Sequence, residues 1–329
     1  MLNIGVIGVG NMGKNHARIY FEHPDVNLVA VCDINKERCD EFAKRYNCKG
    51  YYSVDSLLKN EKLDGVSIVV PTSVHREVVE QVASKKINIL LEKPVTDNLK
   101  DSIYVQDLIK KNNLICVCGH IERYNPGVRK ALDMLFNGEL GKLFYINMIR
   151  QGLNPQGFVD VDALTNLGIH DLEIANYIIN NIKPKDSFVS FNGVKESQIN
   201  KFGDIFRVNM KTQNKCIVNL VVDTLTPTKK RELYICGEKG MLALDYITQK
   251  LVFYTNGAAK ESYSYNDILR GVSLGETINI NFDIKEPLFM EIDNFVKSIE
   301  GKEKPFVCIE DAVASIELLE KVESVLNGK

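Results

Sequence analysis

Apolar residues in the first third of the chain come in short, nearly unbroken runs, separated by stretches with helical spacing. Leu2, Ile4, Val6 and Ile7 form one such run at the N-terminus. It is too brief for a helix and is bounded by glycines, so it predicts a buried strand. Further strands are predicted over Asn27–Cys32, Tyr51–Tyr52, Leu63–Val70, Ile87–Leu91 and Leu114–Cys118. Helices are predicted between them, over Lys14–Phe21, Asn35–Tyr46, Val74–Ser84 and Asn98–Lys111, with a capped turn at Ser53. Alternation at this spacing predicts a doubly wound parallel sheet.

The later pattern differs. Helices are predicted over Val128–Phe136 and through the segment holding Asn166, His170 and Asp171, with a strand from Leu143 to Ile149 between them. Period-two runs then follow at Phe206–Met210, Ile217–Val222, Leu233–Cys236, Met241–Leu244 and Leu251–Tyr254. They predict an antiparallel sheet with one face either wet or covered by a partner subunit. Two helices close the chain, Pro287–Ile299 and Glu310–Leu326. Gly119-His120 marks the change of pattern, giving domains at 1–119 and 120–329. A length of 329 residues also favours two cores over one.

Charge and cysteine usage remove several classes of function. Lys plus Arg total 41 against 43 Asp plus Glu, so there is no basic surplus for nucleic acid. No apolar run reaches the ~18 residues of a membrane span. The first strand begins at residue 2, leaving no room for a signal peptide, and a cytoplasmic protein is expected. The 8 cysteines are scattered without a CxxC pair and several fall in apolar strands, which fits buried thiols rather than disulfides or metal ligands. No cluster with metal-ligand spacing occurs, and no metal is expected.

The N-terminal strand runs into Gly8-Val9-Gly10-Asn11-Met12-Gly13 and then a helix. In such a turn the first glycine bends the chain, the second admits a pyrophosphate, and the third lets helix and strand pack closely. The helix N-terminus offers free N–H groups to phosphate. A second strand then ends on Asp33, 20 residues past Gly13, where an acid accepts hydrogen bonds from a ribose. Strand, glycines, helix, strand and acid in this order point to a dinucleotide. Repulsion between Asp33 and a 2′-phosphate favours NAD over NADP, although Lys36 and Arg38 stand nearby.

Ligands of doubly wound sheets bind beyond the carboxyl ends of the strands. That rule adds Pro71-Thr72-Ser73-Val74-His75 and Glu92-Lys93-Pro94 to the candidate site. Lys93 is held by a stiff backbone before proline, at a peptide bond open to the cis form. From position alone it is as often a solvated lysine. His170, four residues after Asn166 on a helix, is likewise either a packing histidine or an acid–base group.

These motifs together, with Leu167-Gly-Ile-His170-Asp171, resemble the glucose–fructose oxidoreductase and inositol dehydrogenase (Gfo/Idh/MocA) family along nearly the whole chain. The resemblance implies a Rossmann domain, a C-terminal α/β domain with a large, mostly antiparallel sheet, bound NAD or NADP, and hydride transfer at a sugar or cyclitol carbinol. It implies that Lys93 contacts the substrate hydroxyl and that His170 is the acid–base residue. Many members carry aspartate where this chain has Asn166, which orients but takes no proton, so Asp171 or Asp162 would have to partner His170. Gly119-His-Ile-Glu-Arg123-Tyr124-Asn-Pro126, Thr226–Arg231 and Gly237–Gly240 are similar to the branch that oxidises C3 of UDP-N-acetylglucosamine.

The expected enzyme is thus an NAD-dependent sugar oxidoreductase. Lys93 and His170 are catalytic, while Gly8, Gly10, Asn11, Met12, Gly13, Asp33, Pro71, Thr72, His75, Glu92 and Lys93 hold the cofactor. Lys93, Arg123, Tyr124, Asn166 and His170 hold the substrate. Arg123, Arg150 and Lys229-Lys230-Arg231 could supply a nucleotide pyrophosphate with cations, or be solvated charges. A loop over Gln151–Asp162 is expected above the crevice. A homodimer or homotetramer through the C-terminal sheet is expected. The alternatives are a free-sugar or inositol dehydrogenase, an NAD-recycling isomerase or hydrolase, and a non-catalytic dinucleotide sensor.

Overall fold

In the computed structural model the early apolar runs pair into one sheet. Its strands are β1 (Leu2–Ile7), β2 (Val26–Cys32), β3 (Lys49–Tyr51), β4 (Gly65–Ile68), β5 (Asn88–Glu92) and β6 (Cys116–Gly119). They are all parallel, in the order β3-β2-β1-β4-β5-β6. Helices α1 (Gly13–Glu22), α2 (Lys36–Arg45), α3 (Val54–Asn60), α4 (His75–Ser84) and α5 (Leu99–Lys111) make the crossovers. Central strands covered on both faces read as continuous apolar runs rather than alternating ones. Ile4, Val6, Ile7, Val66, Ile68, Ile89, Leu90 and Leu91 are accordingly buried.

The structure describes residues 1–153, 162–182, 186–199, 202–257 and 275–328, which divide into two units. The first holds Met1–Tyr124 and Lys285–Glu320, the second Asn125–Ile284 and Lys321–Lys329. Packing therefore returns a late segment to the first unit, which a single cut at residue 119 does not follow. In that segment α8 (Pro287–Ile299) buries Leu288, Ile292 and Phe295 in the same core as the parallel sheet. Gly65 makes room for it, since a Cβ there would lie 2.9 Å from both Ile299 and Phe295.

The second unit is built on an 8-stranded sheet: β7 (Leu143–Gln151), β8 (Phe188–Glu196), β9 (Ile205–Thr212), β10 (Ile217–Asp223), β11 (Lys230–Gly237), β12 (Gly240–Asp245), β13 (Lys250–Thr255) and β14 (Thr277–Ile280). All neighbours are antiparallel except β7 and β10. One face presents Phe206, Val208, Met210, Val218, Leu220, Leu233 and Ile235 to the core. Helices α6 (Pro126–Phe136) and α7 (Ile169–Ile182) belong to this unit, and α6 packs on β12 and β13. On the other face Asn147, Asn219, Asn209 and Asn192 stand in register across four strands. Asn219 donates to Asn147 at 2.6 Å and Asn209 to Asn192 at 3.1 Å.

Strands β8 and β14 were not expected. The β8 sequence, FVSFNGVKE, has no fully buried position and no two-residue alternation of burial, so its apolar period is lost. The final helix, α9, spans Ile309–Leu326. Among the described residues no helix is long and apolar enough to cross a membrane. All 8 cysteines are free thiols. The loop expected over Gln151–Asp162 lies mostly outside the described residues.

Candidate functional site

The glycine turn has the geometry its residue types require. Gly8 adopts φ +89°, and a Cβ there would sit 2.4 Å from the Val69 carbonyl oxygen. A Cβ on Gly13 would lie 1.8 Å from the Gly8 carbonyl oxygen, so the helix meets the strand only because Gly13 carries no side chain. Gly10 differs: a Cβ there meets only Arg38 Nη1, at 3.4 Å. Its face is open, as a glycine that admits a phosphate group must be.

Helix α1 begins at Gly13 without a side-chain cap and without an acid in its first turn. Helices α2, α3 and α5, by contrast, are capped by Asn35, Ser53 and Asn98. An uncapped N-terminus beside an open glycine leaves N–H donors and the positive dipole end for an anion. Asp33 closes the other side. Its carboxylate is mostly buried and accepts N–H groups of Val9 at 3.0 Å and Asn35 at 2.9 Å, with Arg38 Nη1 3.7 Å away. These residues fit a dinucleotide, and Asp33 also braces the loop that would cradle the pyrophosphate.

The turns after β4 and β5 are tied together. Pro71 leads into a short turn, Thr72–Val74, and then α4. The His75 ring lies between them, with Nε2 2.9 Å from the Val70 carbonyl and Nδ1 3.0 and 3.2 Å from those of Pro94 and Val95. Burial pushes its pKa down, against the pull of these carbonyls and Glu92. The ring is therefore a clamp, and any cofactor contact in this turn falls to Pro71, Thr72 and the backbone. The Lys93–Pro94 peptide is cis.

Glu92 turns inward from the end of β5. One carboxylate oxygen accepts from His16 Nε2 at 3.1 Å, and the other from the backbone N–H of Lys93 at 3.0 Å. His16 Nδ1 meets Ser67 Oγ at 3.1 Å, and Ser67 meets Tyr20 OH at 2.8 Å. Because an ionised carboxylate only accepts, the proton on His16 is assigned to Nε2. Burial alone would raise the Glu92 pKa, but His16, Lys93 and the Lys93 amide outweigh it and hold it below the ordinary value. Glu92 thus fixes the backbone of Lys93 from behind. His16, Ser67 and the nearby Glu291 escaped sequence reasoning. The one legible signal was that His16 falls on the buried stripe of α1 with Ile19 and Tyr20.

Arg123 and Tyr124 were expected to touch substrate. They instead face the interior of the first unit, each no more than 1% exposed. Arg123 donates to the Phe306 carbonyl and to Asp311, and Tyr124 donates to Asn294 at 3.1 Å and accepts from the Val307 N–H. They anchor the late segment to the early one. His120 beside them is buried, which together with Arg123 and Lys93 pushes its pKa down to about 3.

In the second unit His170 stands in the first turn of α7, and Asn166 in a preceding π-helical turn, Leu164–Gly168. That wider turn is a common device at functional sites. It also shifts Asn166 from the α-helical offset that the spacing predicted. Asp162 accepts the Thr165 N–H at 2.7 Å and caps this turn. Asp171 is held by Arg150 at 2.7 and 3.0 Å, both side chains being buried. Arg150 and Asp171 thus balance each other's charge inside this unit. Gly237–Gly240 is a hairpin turn, in which a Cβ on Gly240 would strike the Tyr254 carbonyl at 2.3 Å. Lys229 and Lys230 are exposed, and Arg231 reaches the Gln151 carbonyl at 2.9 Å.

Comparison with known proteins agrees with this arrangement. Residues 2–120 match the model of an oxidoreductase family with an NAD-binding Rossmann fold, and residues 133–325 that family's C-terminal α/β domain. UDP-N-acetylglucosamine 3-dehydrogenase from Acidithiobacillus ferrooxidans is 27% identical over 97% of this chain and 94% of its own. Myo-inositol 2-dehydrogenase from Thermotoga maritima is 24% identical over 94% and 92%. A solved structure of the former superimposes with a TM-score of 0.86 over 99% of this chain and 98% of its own, at 24% identity. Levoglucosan dehydrogenase in complex with NADH gives 0.84 over 99% and 97%, at 17% identity, and so shares the fold. With fingerprint, acid and both family models in place, the chain belongs to the Gfo/Idh/MocA oxidoreductase family and carries its NAD-binding Rossmann domain.

Proposed function

We propose that this NAD-dependent oxidoreductase acts on a nucleotide sugar, oxidising C3 of UDP-N-acetylglucosamine or a close analogue. The observation that carries the reading is the end-to-end likeness to the Acidithiobacillus ferrooxidans enzyme, which spans both units. Lys229 and Lys230 add exposed cations, and lysine binds phosphate as a point charge. Arg123 and Arg150 no longer count towards it, being committed within their own units. That withdrawal favours inositol or a free sugar as the second reading, in line with the Thermotoga maritima relative.

Bound NAD would supply the hydride acceptor, and the residues must handle the proton. Lys93 and His170 are proposed as the catalytic residues. Lys93, fixed by Glu92 at its amide, would steady the substrate hydroxyl as it becomes an alkoxide. His170 would take the proton. Asn166 would orient the sugar, because an amide donates and accepts without titrating. We also propose that the outward face of the 8-stranded sheet, with exposed Val194 and Ile217, joins subunits into a dimer or tetramer.

The test is a panel of UDP-N-acetylglucosamine, its uronic acid, other nucleotide sugars, myo-inositol and glucose, each with NAD. Turnover confined to nucleotide sugars is expected. Turnover of inositol or glucose alone would move the assignment to the second reading. Light scattering of the purified chain checks the assembly, a monomer being the contrary result.

A further inference from the structure

Glu291 of α8 is fully buried in the first unit, and neither of its carboxyl oxygens receives a hydrogen bond. A carboxylate stranded in this way would be costly, since a buried charge needs a partner or a proton. It lies beside the group behind Lys93: one oxygen of Glu291, one of Glu92 and a ring nitrogen of His16 lie within 4.8 Å of one another. Nε2 of His16 is engaged by Glu92 and Nδ1 by Ser67, so neither ring nitrogen is turned to Glu291.

We infer that Glu291 is kept as a neutral carboxylic acid whose proton is directed at the ionised Glu92, and that it acts through Glu92 as a positioning residue for Lys93. Glu92 accepts from His16 and from the Lys93 amide, and the Glu291 carboxyl, within 4.8 Å, would turn its proton to the same group. Two carboxyl groups this close cannot both ionise without strong repulsion, so one takes the proton. The environment selects which. Burial, with Glu92 nearby, pushes the Glu291 pKa well up, whereas Glu92 is held low by its donors. The other titratable groups facing the pair are Tyr20 and His16 from α1, Lys93 after β5, His75 from α4 and Tyr124. The same three groups would also suit a divalent cation, and the metal content of the purified protein separates that alternative from a protonated carboxyl.

The positioning role rests on the assignment of Lys93 as catalytic, whereas the protonated state does not. The experiment separates the two, using the full-length protein. Carbon-13 labelling of glutamate and infrared spectroscopy at pH 7 to 8 should show a protonated carboxyl band. Glu291→Gln should remove the band, and Glu139→Gln, at an exposed position, should leave it. Raising the pH should increase the unfolding constant of the wild type relative to Glu291→Gln by up to about tenfold per unit above ~4.3. The sign follows because the folded acid keeps a proton that the unfolded one releases. Absence of the band, a ratio flat with pH, or one equivalent of divalent metal in the purified protein would overturn the inference.

Glu291→Leu should lower kcat by roughly 100-fold with NADH affinity within about twofold, and Glu291→Gln should recover most of the rate. If Glu291→Leu fails to fold, the spectrum and pH ratio of the wild type and Glu291→Gln still decide the protonated state, and their kcat values decide the role: a rate lost in Glu291→Gln with the band present in the wild type would overturn positioning. A folded Glu291→Leu enzyme with wild-type kcat would do the same. Full turnover by Lys93→Met would instead reject the reading of Lys93, leaving the protonated pair intact.

Discussion

Arg150 and Asp171 form a two-pronged ion pair inside the second unit, at 2.7 and 3.0 Å, with 3% and 1% of their side chains exposed. Removing one member strands the other as a buried charge, which costs about 3–5 kcal/mol. Asp171→Ala should lose that much in denaturant unfolding. The double variant Arg150→Met/Asp171→Leu should lose clearly less than the two single changes added together, because it leaves no orphan charge. An Asp171→Ala protein within about 1 kcal/mol of wild type would mean that the pair is open to water.

The glycine turn separates binding from folding. Gly13→Ala places a methyl group 1.8 Å from the Gly8 carbonyl, and the fold should lose about 1–3 kcal/mol or more. Gly10→Ala meets only the flexible end of Arg38. It should melt like wild type while NADH binds at least about tenfold more weakly, because the methyl group fills the approach of the pyrophosphate. Thermal melts beside fluorescence titration distinguish the two. Intact NADH affinity in Gly10→Ala would move the phosphates elsewhere.

Asp33 should set the choice of dinucleotide. A 2′-phosphate ~4 Å from its carboxylate is opposed by about 4 kcal/mol at an effective dielectric of 20. Arg38, 3.7 Å from the same carboxylate, softens this. NADPH should still bind at least ~100-fold more weakly than NADH, and Asp33→Asn should narrow the gap to ~10-fold. Equal titration curves for the two cofactors with wild type would sink the claim.

Lys93→Met should abolish turnover and leave NADH affinity within about threefold, because the glycines and Asp33 hold the dinucleotide. His170→Ala should slow the reaction by roughly 10²–10⁴-fold, the usual worth of a general base. Steady-state rates with the best substrate of the panel check both. A wild-type rate in either variant removes that residue from the mechanism.

His120 predicts an acid limb in stability. Burial, with Arg123 and Lys93 adding to it, pushes its pKa down to about 3 from an ordinary 6.5. Between those values the unfolded chain takes a proton that the folded one refuses. Stability therefore falls as pH drops through this window, by up to about 1.4 kcal/mol per unit. His120→Asn should flatten that part of the curve in unfolding experiments from pH 4 to 7. An unchanged slope would mean that the ring titrates normally.

Local signals carried the parallel sheet and its ligand-facing ends well. Glycines, Asp33 and Lys93 sit at strand ends, where chain order and spatial order coincide. Most of the misses depend on contacts between distant residues. His16, Glu92 and Glu291 are separated by 76 and 199 positions and meet only in the folded unit. Arg123 and Arg150 looked like free cations because their acids, Asp311 and Asp171, lie elsewhere along the chain. Strand β8 was invisible because both its faces are partly wet, so no period of two survives.

The first unit is assembled from an early and a late segment of the chain, and this sets an order of events during synthesis. Met1–Tyr124 leave the ribosome early, but the segment that completes their core begins at Lys285. At ~5–20 residues per second the intervening stretch takes roughly 10–30 s. Throughout that interval the surface awaiting Leu288, Ile292 and Phe295 is uncovered. The nascent half-domain is then a natural client for a chaperone that shields apolar surface, and it should be most prone to aggregate when translation stalls just before residue 285.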